Sequence, residues 1–150
     1  MLNSDYKEIL QLLTEAKVDF LLVGAYALAA HGYPRSTGDI EIWVNPTPEN
    51  AKKTYEVIIK FGAPLHDLQI EDLHKPGNVF QIGVAPRRID ILTKISGVDF
   101  FEAKEDFIEL DLYGIKLPFI SLEKLIKNKE ATGRDKDLID VKKLKKHMSD

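Results

Sequence analysis

The sequence predicts an α/β domain with a mixed, largely antiparallel sheet backed by helices and closed by two C-terminal helices. Three observations carry that expectation. Short apolar, β-branched runs such as "FLLV" and "DIEIWV" alternate with longer stretches of helical periodicity. Glycine and proline punctuate the junctions between them. The last thirty residues carry two further helical patterns, separated by a single glycine, Gly133.

Taken in order, Ser4 to Ala16 reads as a helix with Ile9, Leu10, Leu12 and Leu13 on its apolar side. Val18 to Val23 is a continuous apolar strand. Gly24 then opens an alanine-rich helix that Gly32 and Pro34 end. The acidic strand "STGDIEIWV" follows, and a proline-bounded helix runs from Asn45 to Phe61. Pro64 to Gly77 lacks periodicity and reads as a loop. "NVFQIGV" and "RRIDILTKI" are two strands around Ala85-Pro86. "FIELDLYGIKLPFIS" is a hairpin turning at Tyr113-Gly114. Helices at Leu122 to Thr132 and Lys136 to Met148 end the chain. A core of about residues 1–118 and a helical part of about 119–150 form one domain, the expected size for 150 residues.

Composition excludes several functions. There is no cysteine, so disulfides, thiolate metal sites and cysteine nucleophiles are absent, and a cytoplasmic setting is expected. No apolar run reaches the ~18 residues of a membrane helix. The net charge is −3, yet the last thirty residues hold nine Lys/Arg against six Asp/Glu. An acidic body with a basic end is no broad nucleic-acid footprint, but it suits a local phosphate surface.

The acidic strand raises the question of chemistry. Alternation places Asp39, Glu41 and Trp43 on one face and Ile40, Ile42 and Val44 on the other. Neighbouring acids on a strand face repel unless water or a cation separates them. Asp90, flanked by Ile89 and Ile91, sits on a strand that reads as central. If that strand adjoins Asp39 to Val44, three carboxylates converge and need a counter-charge. Hard divalent ions with oxygen ligands, Mg²⁺ above all, supply it and leave positions for phosphate oxygens. Solvated acids on an ordinary scaffold are the alternative. Upstream, the junction of strand, Gly24-Ala25 and helix offers backbone N–H groups to a phosphate.

Here "VGAYALAAHGYPRSTGDIEIWV" followed by "RIDIL" resembles the nucleotidyltransferase superfamily with a DNA polymerase β-like core. Its signature is a strand, a glycine turn, a helix, Asp-x-(Asp/Glu) and a third Asp on a later strand. The stretch with His31, Gly32, Arg35, Thr37 and Asp39, and the tail "KNKEATGRDKDLIDV", are similar to small abortive-infection and toxin–antitoxin nucleotidyltransferases.

The resemblance implies Mg²⁺ or Mn²⁺ on Asp39, Glu41 and Asp90, and a nucleoside triphosphate near Gly24, Ala25, Arg35, Ser36 and Thr37. The acceptor would be a tRNA end, a protein side chain or a small molecule. Ala25 stands where the family usually has glycine or serine, so a contact to phosphate is lost. A non-catalytic nucleotide-binding or protein-interaction module is therefore the second expectation.

The tail leaves roles open. Lys129 shares a helical stripe with Leu122, Leu125 and Ile126, where it could snorkel to solvent or, as the resemblance implies, meet the triphosphate. Arg134, Lys136 and Asp137 could contact ligand or brace the last helix. Arg35 could pair with Asp39 or contact phosphate. His31 reads as a helix-end residue. The lysines at 142, 143, 145 and 146 read as a solvated face opposite Leu138, Val141, Leu144 and Met148.

Overall fold

The computed structural model describes residues 3–112 and 114–149. Six strands form one mixed sheet in the order β3-β4-β2-β1-β6-β5. The strands are β1 (Phe20–Val23), β2 (Asp39–Val44), β3 (Val79–Ile82), β4 (Arg88–Leu92), β5 (Ile108–Leu112) and β6 (Ile115–Phe119). β2 runs antiparallel to β1 and parallel to β4, while β1 is parallel to β6. The β3–β4 and β5–β6 pairs are antiparallel.

The helices start and stop where local chemistry directs. α1 (Ser4–Glu15) is capped by Asn3, whose side chain accepts the Tyr6 N–H. α2 (Gly24–Ala30) follows β1 directly. α3 (Pro48–Phe61) has Thr47 as N-cap, Pro48 in its first turn and Gly62 in the left-handed conformation at its end. α5 (Leu122–Thr132) is capped by Ser121 and ended by left-handed Gly133, and α6 (Asp135–Ser149) follows.

Three details depart from the sequence reading. The segment 64–77 contains a 3₁₀ turn, Ile70–His74, closed by the Gln69 N–H donating to Asp72, with Leu68 and Leu73 buried beneath. A short helix, α4 (Phe100–Ala103), follows β4 and seats Phe100 on Trp43. Four residues are too few for periodicity to reveal. On α6 the buried positions are Asp137, Asp140, Val141 and Leu144, while Leu138 and Met148 are exposed. The helix is turned so that its buried acids meet Lys129, Arg134 and Arg35. Of the expected hairpin turn at Tyr113-Gly114, Tyr113 lies outside the described residues.

One hydrophobic cluster runs from Tyr6 on α1 to Leu144 on α6, so the C-terminal helices share the core of the sheet. Ile40, Ile42 and Val44 are fully buried on one face of β2. Asp39, Glu41 and Trp43 take the other, as alternation requires. Among the described residues no helix is long and apolar enough to cross a membrane.

Candidate functional site

Register brings the acids together. β4 lies beside β2 in parallel, with Asp39 opposite Arg88 and Glu41 opposite Asp90. Asp90 is 5% exposed, on the same cleft as Asp39 and Glu41. β1 adjoins on the other side, with Val23 opposite Glu41, so the Gly24 turn meets the Glu41 carboxylate. A Cβ on Gly24 would lie 1.8 Å from Glu41 Oε2, and its φ is +67°. Only glycine serves there, for conformation and for space.

Arg88 supplies the counter-charge. Its Nη2 donates to Asp39 Oδ2 at 3.0 Å and to Asp90 Oδ2 at 3.2 Å, and its Nε donates to Asp90 Oδ1 at 3.0 Å. Thr37 Oγ1 donates to Asp39 Oδ1 at 2.9 Å. The Tyr6 hydroxyl donates to the Arg88 carbonyl at 2.9 Å and fixes that strand end from below. Burial, with Tyr26 and Asp39 nearby, raises the Tyr6 pKa to about 12.

The carboxylates are unequal. Burial raises Glu41, and repulsion from Asp39 and Asp90 raises it further. Burial also raises Asp90, more than Arg88 lowers it. At Asp39 burial is outweighed by hydrogen bonds from Thr37, Asp90 and Arg88, and the net shift is downward. Glu41 and Asp90 thus hold a proton more readily than free carboxyls do, while Asp39 stays ionised.

Among the described residues no three carboxylate or imidazole side chains stand as a ready-made metal cluster. The guanidinium of Arg88 lies between Asp39 and Asp90 instead. The three carboxylates offer the oxygen donors that hard divalent ions take, while Arg88, on a side chain 36% exposed, occupies the space between two of them.

The remaining site residues named from the sequence line one polar cleft of about 590 Å³ with the three acids. They are Gly24, Ala25, Arg35, Ser36, Thr37, Lys129, Arg134 and Lys136. Their partners were not all foreseen. Lys129 does not snorkel: it is 8% exposed and its Nζ donates to Asp140 Oδ2 at 3.1 Å, with Asp137 Oδ1 at 3.6 Å. Arg35 pairs with Asp140, not with Asp39. Arg134 Nε donates to Asp137 Oδ2 at 2.6 Å, and Thr132 Oγ1 donates to the same oxygen at 2.7 Å. Burial of Asp137 is outweighed by these bonds, so its pKa is lowered. His31 has a structural place, its Nε2 bonded to the Ile120 carbonyl at 2.9 Å.

Sequence reading missed Arg88 and Asp140. Arg88 stands two residues before Asp90, on the same strand face, which was a usable signal. Asp140 carried no such signal, because its partners lie on another helix and in a distant loop.

No protein-family model matches the chain, and no curated protein matches it in sequence. Solved structures do match. A proposed nucleotidyltransferase from Thermotoga maritima superposes with a TM-score of 0.63 at 16% identity, covering 99% of this chain and 96% of its own. The fold is that of the nucleotidyltransferases. The lincosamide antibiotic adenylyltransferase LnuA, in its lincomycin-bound crystal structure, gives a TM-score of 0.59 at 18% identity, with 97% of each chain covered. Both alignments span nearly the whole length, so the nucleotidyltransferase fold here includes α5 and α6. Identities this low carry the architecture and leave the chemistry to the residues.

Proposed function

We propose that this protein is a metal-dependent nucleotidyltransferase that moves a nucleoside monophosphate from a triphosphate to an acceptor hydroxyl. The observation that carries the reading is the register of Asp39, Glu41 and Asp90 beside the Gly24 turn. A scaffold gains nothing from three converging acids of which two are held above their ordinary pKa. Mg²⁺ or Mn²⁺ held by these carboxylates would neutralise phosphate charge as a Lewis acid.

The chain's own groups have distinct parts. Gly24 and Ala25 leave room and backbone N–H groups for phosphate. Arg35, Lys129, Arg134 and Lys136 bring positive charge to the same cleft, and Ser36 and Thr37 line it too. Asp90 accepts the proton of the acceptor hydroxyl, whose oxygen bonds to the α-phosphorus. The bond to the bridging oxygen breaks, and pyrophosphate leaves with the electron pair. Arg88 must release its acids for the site to load. Small-molecule, protein and tRNA hydroxyls all suit this reaction, and LnuA supports the first. A toxin–antitoxin role and a cytoplasmic location accord with the tail motif and the missing cysteine.

A second reading, a nucleotide-binding module without turnover, draws on Ala25 and on Lys129 and Arg35 being neutralised internally. The test is Asp39→Asn. Arg88 keeps its bonds to Asp90, so stability without metal should change by no more than about 1 kcal/mol. Thermal stabilisation by ATP with Mg²⁺ should vanish. Transfer of labelled nucleotide to total RNA, candidate proteins or small alcohols should fall by orders of magnitude. Wild-type stabilisation without any transfer would favour the module. Identical responses of both proteins to every triphosphate would end the enzyme reading.

A further inference from the structure

Past Glu41 the same face of β2 carries Trp43, ~7 Å further along the strand. There a second cavity of about 530 Å³ opens beside the polar cleft. Lys94 and Ile95 form a wall common to both. The chemistry changes across it. Trp43, Pro46, Pro76, Val98 and Phe100 make the second cavity mainly apolar, and Phe100 stands edge-on to Trp43 with ring centroids 5.0 Å apart. Trp43 is 1% exposed, and its Nε1–H is buried without a hydrogen-bond partner among the described residues. Buried indole donors ordinarily find one. An apolar, aromatic-lined cavity of this size, with few polar groups, has the form of a small-molecule site.

We propose that this cavity seats the ring of a small-molecule acceptor alcohol, with its hydroxyl reaching over Ile95 to Asp90. The assignment rests on the nucleotidyl-transfer reading and adds the class of acceptor. Charge argues against a polynucleotide here. The wall holds Lys94 against Asp99 and Glu102, whereas a phosphate backbone needs a basic surface. Asp99 and Glu102 are also committed, since they cap α4 and Glu102 binds Lys127 at 2.6 Å. The ligand is therefore held by apolar contact.

Trp43 is the sole tryptophan, so its emission reports this cavity directly. Wild-type protein titrated with 2-phenylethanol should show a saturable change in emission, and ethanol should show none. Ile95→Ala should weaken the response about threefold or more, by removing apolar wall. Ile95→Arg should abolish it. If Ile95→Arg does not fold, Ile95→Ala decides. A response absent in the wild type, or unchanged in Ile95→Ala, overturns the proposal. So does a stronger saturable response to a short RNA oligonucleotide. ATP with Mg²⁺ is measured on the same samples by thermal shift. Triphosphate stabilisation with a silent cavity overturns this inference and leaves the transfer reading standing. A responding cavity without triphosphate stabilisation overturns the transfer reading and the acceptor role together.

Discussion

Two groups of carboxylates face one cleft, and they are held in opposite ways. On the tail, Asp137 and Asp140 meet Lys129, Arg134 and Arg35, and every acid has at least one cation of its own. On the sheet, Arg88 is the ion-pair partner of both Asp39 and Asp90, while Glu41 has none within salt-bridge distance among the described residues. Asp137 is accordingly held below its ordinary pKa, and Glu41 and Asp90 above theirs. Burial pushes all three of these carboxyls up; at Asp137 the bonds from Arg134 and Thr132 outweigh it, whereas at Asp90 those of Arg88 do not, and Glu41 has no such bond. The tail cluster is compensated from within, and on the sheet a single arginine serves two acids.

The sharpest way to break this contrast is Asp140→Asn. The change leaves Lys129 buried beside Asp137 alone and releases Arg35. Removing one partner of a buried pair costs about 3–5 kcal/mol, so urea unfolding should show a loss of that order. Asp39→Asn on the sheet should show little. Comparable losses in the two variants would erase the distinction. Lys129→Ala would strand two buried acids, so a fall in nucleotide binding by that variant must be read beside its melting temperature.

Arg88→Ala tests the sheet from the other side. Without the guanidinium, Asp39 and Asp90 lose their shared counter-charge, and the metal-free protein should melt lower than the wild type. Mg²⁺ should bind more tightly to the variant than to the wild type, since no internal cation competes, and should restore the melting temperature. Calorimetric titration with Mg²⁺ alone reads this without turnover. Equal or weaker Mg²⁺ affinity in the variant would show that Arg88 does not compete with the ion.

The smallest effect should appear in pH dependence. Asp137 is depressed, so its contribution is present above its unfolded pKa and is lost only as pH falls through the lower folded value, under about pH 4. Glu41 is raised, so its ionised form opposes folding at neutral pH, and protonation relieves that cost as pH falls toward its folded pKa. Glu41→Gln should therefore be more stable than the wild type at pH 7, with the advantage narrowing as the pH is lowered toward the folded pKa of Glu41. The deficit of Asp137→Asn should stay constant over that range. Parallel profiles for the two variants would mean that the clusters titrate alike.

Much of this was legible locally. Strand alternation alone placed Asp39, Glu41 and Trp43 together, and helical spacing alone put Lys129 on the buried stripe with Leu125 and Ile126. Gly24, Gly62 and Gly133 marked helix boundaries because left-handed backbone is a local demand. Such features repeat within a few residues, so the sequence by itself determined them. Which strand lies beside β2 is another matter. Arg88 meets Asp39 across 49 positions, and Arg35 meets Asp140 across 105. No period spans those separations. Only the tertiary structure decided that β4 adjoins β2 in parallel, that Arg88 holds two acids, and that α6 buries Asp137 and Asp140 against their cations. It also decided where the short helix α4 folds back, seating Phe100 against Trp43 beside the acids. Burial and charge compensation are properties of the assembled surfaces, and they are set only when distant segments remove one another from water.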